Sequence, residues 1–210
     1  MHQIQERYQK IKHQIGSAKL IAVSKKQPQI KIEQALEAGL KDFGENRVQE
    51  AYEHWQELKK EHFDITLHLI GPLQSNKVKD AVALFDVIHT VDREKIARAL
   101  SKEMRLQNKK IPCFIQVNIG NEPQKSGVTF QELESFYDLC THECALDIIG
   151  LMAIPPHDES SEKHFISLRN AAEMLGLKEL SMGMSSDYTC AVKCGSTYVR
   201  IGTGLFGARL

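Results

Sequence analysis

The sequence predicts an α/β fold, a (β/α)8 barrel of the TIM type, on three observations. Short β-rich apolar runs alternate with helical stretches, the pattern of parallel strands joined by right-handed helical crossovers. Eight such runs can be counted along the chain. The 210 residues are 42% apolar, enough for one sizeable core and within the usual size of such barrels. Eight strands in an all-parallel pattern favour closure, with an open doubly wound sheet as the alternative. No low-complexity stretch, Gly/Ser linker or internal repeat divides the chain, so residues 1–210 are expected to form one domain.

The strands fall at residues 20–24, 41–44, 67–70, 87–91, 113–118, 148–153, 179–182 and 198–202. The third to fifth are clearest; the second and seventh are short, and periodicity alone does not prove them. Ahead of the first strand, residues 4–15 read as an extra amphipathic helix. Residues 29–38 place Ile30, Ala35, Leu36 and Ala38 on a helix that ends at Gly39, a glycine just past the C-terminus. Residues 46–61, 92–107, 129–144 and 159–175 have the length and period of further crossovers, with Asp92 and Thr129 as N-caps.

Composition narrows the function classes. Lys plus Arg number 27 and Asp plus Glu also 27, so no net field favours nucleic acid or an acidic membrane. No apolar run approaches the ~20 residues of a transmembrane helix, and the polar MHQIQERYQKIKHQ lacks the core of a signal peptide. A cytoplasmic setting is expected. Five cysteines, in no small disulfide-stapled framework, read as reduced thiols. Cys140 and Cys144, like Cys190 and Cys194, are four apart and would share a helix face, but the C-x2-C spacing of zinc sites is missing. Nine scattered histidines make no H-E-x-x-H pattern, and no metal is expected.

Chemistry enters at strand ends. The first strand runs IAVSKK into QP, bringing Lys25 to its C-terminal end, where barrel catalysts sit. Alternation groups Ile21, Val23 and Lys25 on one side; if that side faces the barrel axis, Lys25 points into the mouth and Lys26 away. An amine desolvated there would have a lowered pKa and could attack a carbonyl, while a solvated lysine pair closing a strand is the plainer alternative. Near the other end, YVRIGTGLFGAR places Gly202, Thr203 and Gly204 after the last strand, with one short helical turn over 205–208. Small residues, a hydroxyl and a helical N-terminus suit an anion, and barrels bind phosphate with the loops after strands 7 and 8, where Ser185 also lies. Ordinary turn chemistry explains these residues equally well. Arg200, two before Gly202, shares its side of the strand and needs an acceptor. A structural carboxylate would serve, and so would the ring nitrogen of pyridoxal 5′-phosphate (PLP). An aldehyde-trapping lysine, a phosphate cradle and a ring-nitrogen arginine at one mouth describe PLP better than a sugar phosphate.

These residues sit in motifs that resemble the pyridoxal phosphate homeostasis protein family, related in fold to the N-terminal barrel of alanine racemase. IAVSKKQP, DFGENRVQEA, LHLIGPLQSNK, HTVDR, QVNIGNEPQKSG, GLMAIPP, LSMGMSSD and STYVRIGTGLFGAR match in order over nearly the whole chain. The resemblance implies a fold type III PLP barrel with the Schiff base on Lys25, the phosphate on Ser185, Gly202 and Thr203, and Arg200 at the pyridine nitrogen. It adds Asn46 and Met152 as pocket walls, a structural role being as good an account of each. His68 and the 125–127 segment also match and receive no chemistry.

The function implied is PLP homeostasis, with PLP carried or buffered and PLP-dependent apoenzymes as recipients; the expected state is a monomer. Alanine racemase adds a second domain whose tyrosine is the opposite-face base, and this chain is expected to lack it, ending at Leu210 directly after the barrel. An arginine at the ring nitrogen also leaves the ring a weak electron sink. The alternatives are a PLP-dependent enzyme of the racemase-like class and a cofactor-free phosphosugar enzyme.

Overall fold

The computed structural model describes residues 2–156 and 159–208. Eight parallel strands close into a barrel in sequence order: β1 (Lys19–Val23), β2 (Asp42–Glu45), β3 (Thr66–Leu69), β4 (Val87–Val91), β5 (Pro112–Val117), β6 (Asp147–Ala153), β7 (Glu179–Met184) and β8 (Tyr198–Ile201). β8 pairs with β1, which excludes the open sheet.

The helices pack outside. α1 (His2–Ile15) precedes β1, α2 (Gln29–Glu37) follows it, and α3 (Val48–Trp55) and α4 (Leu58–Glu61) follow β2. α5 (Val78–Leu84), α6 (Glu94–Leu106), α7 (Phe130–Asp138), α8 (Ser161–Met174) and α9 (Tyr188–Lys193) make the remaining crossovers, and α10 (Thr203–Phe206) follows β8.

Strand alternation produces two apolar layers. Ala22, Phe43, Leu67, Leu69 and Ile88 point outward into the main core beneath the helices. Phe43 packs on the fully buried Trp55 of α3, ring centroids 4.6 Å apart. Ile21, Val87, Phe114, Met152 and Tyr198 form a separate cluster inside the barrel, so the side of β1 that holds Ile21 is the lumen side.

Several boundaries differ from the sequence reading. The 46–61 crossover is two helices, and Asn46 lies ahead of both. Asp92 is not the N-cap of α6: Arg93 holds that position in extended conformation, while the buried Asp92 carboxylate accepts from Arg93 Nη1 at 2.5 Å. A carboxylate answered by a guanidinium has no need of helix N–H groups. Thr129 does cap α7, with Glu132 completing a capping box. The 129–144 helix ends as a π-helical turn, Leu139–Glu143, in which Cys144 N–H reaches Leu139 O at 2.9 Å. α5 and α9 were not foreseen, and the final turn starts at Thr203 rather than Leu205. All five cysteines are free, and burial pushes the Cys140 thiol up to about 12, outside the reactive range.

Candidate cofactor site at the barrel mouth

The C-terminal ends of β1, β7 and β8 carry five predicted residues, Lys25, Ser185, Arg200, Gly202 and Thr203. The β1–β8 register pairs Ile21 with Arg200 and Ala22 with Ile201, so Val23 ends β1 beside Gly202. β1 stops at Val23, and Lys25 stands in the turn beyond it rather than at the strand's last position. It is half-buried, whereas Lys26 is exposed. Lys26 takes a positive φ of 56°, and its N–H donates to Glu50 Oε1, so the chain reverses directly after Lys25.

Behind this turn, Glu45 at the end of β2 is fully buried. Its Oε1 accepts from Ser24 Oγ at 2.6 Å, His54 Nδ1 at 3.0 Å and Trp55 Nε1 at 3.1 Å. Ligand atoms of Glu45, Glu50 and His54 lie within 4.8 Å of one another. The hydrogen bonds just named account for that proximity. The bond to Glu45 holds the His54 imidazole above its ordinary 6.5. A raised folded-state pKa adds stability that is complete below the unfolded value and is lost as pH rises through the folded one. Urea unfolding should therefore show the protein losing stability as pH rises from about 6 through the folded His54 pKa, with a shallower loss in His54→Gln. Identical pH slopes for parent and variant would refute this assignment.

The loops after β7 and β8 are tied together. Gly204 N–H donates to Ser185 Oγ at 3.1 Å. Ser185 is placed by the tight turn at Gly183, whose φ is +93° and where a Cβ would stand 2.5 Å from Ala191 Cβ; only glycine fits. Thr203 opens α10 and is exposed, and neither its N–H nor its hydroxyl is committed to another described residue. At Gly202 a Cβ would meet Val23 at an ordinary 3.5 Å, so protein packing alone does not demand glycine there. The missing Cβ leaves the Gly202 backbone open to close approach by an anion.

Arg200 is 4% exposed, and burial lowers its pKa to about 10, so it stays cationic at neutral pH. Its Nη1 donates to Ser181 Oγ at 2.7 Å and its Nη2 to Ala153 O at 2.9 Å, both neutral acceptors. The structural carboxylate is not what answers it. A buried guanidinium whose hydrogen-bond acceptors are neutral, with the Asp187 charge acting on it only through space, is suited to one further acceptor, such as a ring nitrogen.

The two remaining predicted residues stand apart. Met152 is fully buried among Ile21, Val87, Phe114 and Tyr198, where it forms part of the lumen core. Asn46 lines a cleft of about 820 Å3 with Arg47, Leu73, Lys77, Arg93 and Ser126. Lys25, Ser185, Arg200 and Thr203 are not among its walls. The 125–127 segment is structural: Lys125 Nζ bonds Pro155 O at 3.2 Å and pairs with Glu122, and Gly127 has a φ of +122°. Sequence reasoning missed Ser181 and, behind it, His89; the signal was a polar side chain on the lumen side of a strand.

The alanine racemase N-terminal domain profile matches residues 1–210. A pyridoxal phosphate homeostasis protein of Pasteurella multocida is 40% identical over 216 residues, covering 98% of this chain and 93% of that one. The one from Escherichia coli K12 is 40% identical over 201 residues, covering 90% and 85%. This chain belongs to the pyridoxal phosphate homeostasis protein family. Among solved structures, PipY of Synechococcus elongatus without PLP superposes at a TM-score of 0.93 with 39% identity, over 98% of this chain and all of that one. PipY with PLP bound gives 0.90 at 38% identity. Alanine racemase of Corynebacterium glutamicum, 19% identical with a TM-score of 0.77 over 61% of its length, shares the fold of this family member. Among the described residues no helix is long and apolar enough to cross a membrane.

Proposed function

We propose that this chain binds PLP through Lys25 at the barrel mouth and acts in PLP homeostasis as a cytoplasmic carrier or buffer that does not turn over amino acids. The observation that carries the reading is Arg200, a buried cation answered by neutral oxygens beside the Ser185–Gly204 tie and the Lys25 turn. The names of the relatives and the PLP-bound PipY agree with it. When bound, PLP supplies an aldehyde for amines and an electron-withdrawing ring.

The chain's own groups do the rest. Lys25 Nζ provides the attachment point. Ser185 Oγ, Thr203 and the Gly202 backbone take the phosphate, while Met152 belongs to the lumen core and Asn46 to the neighbouring cleft, so neither touches the phosphate cradle. Arg200 donates to the ring nitrogen without giving up its proton, so the ring stays a weak electron sink. That choice favours holding over carbanion chemistry. The exposed Thr203 and half-buried Lys25 leave the mouth accessible for release. The large exposed apolar side chains Ile30, Phe63, Leu106, Phe130, Ile166 and Met174 are scattered over the surface, with only Ile166 and Met174 sharing an element, α8, which supports a monomer.

The racemase-like fold keeps one alternative, a PLP-dependent amino-acid enzyme. Mixing the PLP-loaded protein with a PLP-dependent apoenzyme separates them. The carrier reading expects the apoenzyme's activity to be restored and expects no racemisation, decarboxylation or transamination by the protein itself. Sustained turnover at roughly 1 per second or more, abolished in Lys25→Ala, would make it an enzyme.

A further inference from the structure

The lumen of the barrel contains a continuous row of polar side chains beneath Arg200. Arg200 Nη1 reaches Ser181 Oγ on β7 at 2.7 Å. Ser181 Oγ meets His89 Nδ1 on β4 at 2.9 Å, and His89 Nε2 meets His68 Nδ1 on β3 at 2.9 Å. His68 Nε2 meets Asp42 Oδ1, the first residue of β2, at 3.0 Å. Ser181, His68 and His89 are at most 1% exposed, while the Asp42 side chain is 26% exposed at the opposite, N-terminal end of the barrel.

Donor chemistry gives this row a single direction. A carboxylate only accepts, so His68 Nε2 carries a hydrogen and, in a neutral ring, Nδ1 accepts. His89 must then donate from Nε2, which leaves its Nδ1 to accept the Ser181 hydroxyl hydrogen. Ser181 Oγ keeps its lone pairs for Arg200, which only donates. Counting from Arg200 gives the same sense at every step. Neutrality of His89 follows from its surroundings: burial, with His68 and Arg200 nearby, holds it well below the usual imidazole range. Phe114 stacks on its ring at 4.3 Å and Tyr198 meets both imidazoles edge-on, so neither ring can turn away.

We propose that Asp42, His68, His89 and Ser181 are positioning residues for Arg200, a one-way hydrogen-bonded chain that carries the influence of a surface carboxylate through the barrel to the PLP ring nitrogen. The proposal rests on the reading that Arg200 holds that nitrogen. The chain fixes the guanidinium's orientation and sets a negative end opposite its positive one, with neutral, polarised links between. Around Asp42, Lys12, Lys19 and Lys41 line a cavity of about 250 Å3, and Lys19 also feels Glu179; these groups set the field at the water-facing end.

Two measurements test it. In the protein without PLP, long-range 1H–15N spectra should show His68 and His89 both as Nε2–H tautomers, and Asp42→Leu should disturb the tautomer of His89 although His68 lies between them. In the PLP-loaded protein, Asp42→Leu should move the visible absorbance band and speed PLP release by about 2- to 12-fold, as expected for one hydrogen bond. Asp42→Asn, which keeps an acceptor oxygen, should restore the tautomers. An Nδ1–H or doubly protonated ring in the parent overturns the chain. If Arg200→Lys changes the band and the release rate but Asp42→Leu changes neither, the chain does not reach the cofactor and the proposal fails. If Arg200→Lys also changes neither, the proposal fails because Arg200 does not hold the ring.

Discussion

Lys25→Ala should remove covalent retention of PLP, and among single substitutions this has the largest expected effect. In the turn after β1, Lys25 is half-buried and Lys26 exposed, and the Lys26 backbone N–H bonds Glu50. Without Lys25, the proposed phosphate cradle and Arg200 should still bind PLP, but only by contacts that exchange freely. After desalting, the variant should keep no cofactor that borohydride can fix, while the parent keeps it. The fold should be unaffected, because Lys25 lies beyond the last residue of β1. A variant that retained as much PLP as the parent would move the attachment elsewhere.

Thr203→Val and Ser185→Ala should each weaken PLP binding about 10- to 150-fold, the equivalent of one hydrogen bond to a charged group at ~1.5 to 3 kcal/mol. Thr203→Val is the cleaner test, since its hydroxyl bonds to no described residue. Ser185→Ala also cuts the tie to Gly204 N–H and so loosens the cradle as well as removing a donor. Pyridoxal, which lacks the phosphate, should bind parent and variants alike. Equal PLP affinity across all three proteins would place the phosphate elsewhere.

Local chemistry made the mouth legible. A lysine near a strand end, glycines after the last strand and the β1 alternation are properties of a few neighbouring residues, while only the inner cluster decides that the Ile21 side faces the lumen. The barrel itself was legible from repetition, though its closure is settled only by β8 pairing with β1. What stayed hidden depends on distance along the chain. His89 and Ser181 meet across the lumen 92 residues apart, and no spacing rule joins them. α5 and α9, of 7 and 6 residues, are too short for a helical period to emerge. The π-helical turn and the displaced α6 N-cap reflect competing bonds, Cys144 to Leu139 and Arg93 to Asp92, that outrank propensity.

The proposed PLP retention rests on a single bond, between PLP and the amine of Lys25. Borohydride reduction of the PLP-loaded protein, followed by peptide mapping, reads that bond directly. One modified peptide is expected, with the label on Lys25. Label on Lys26, on Lys125 or spread over surface lysines would contradict it.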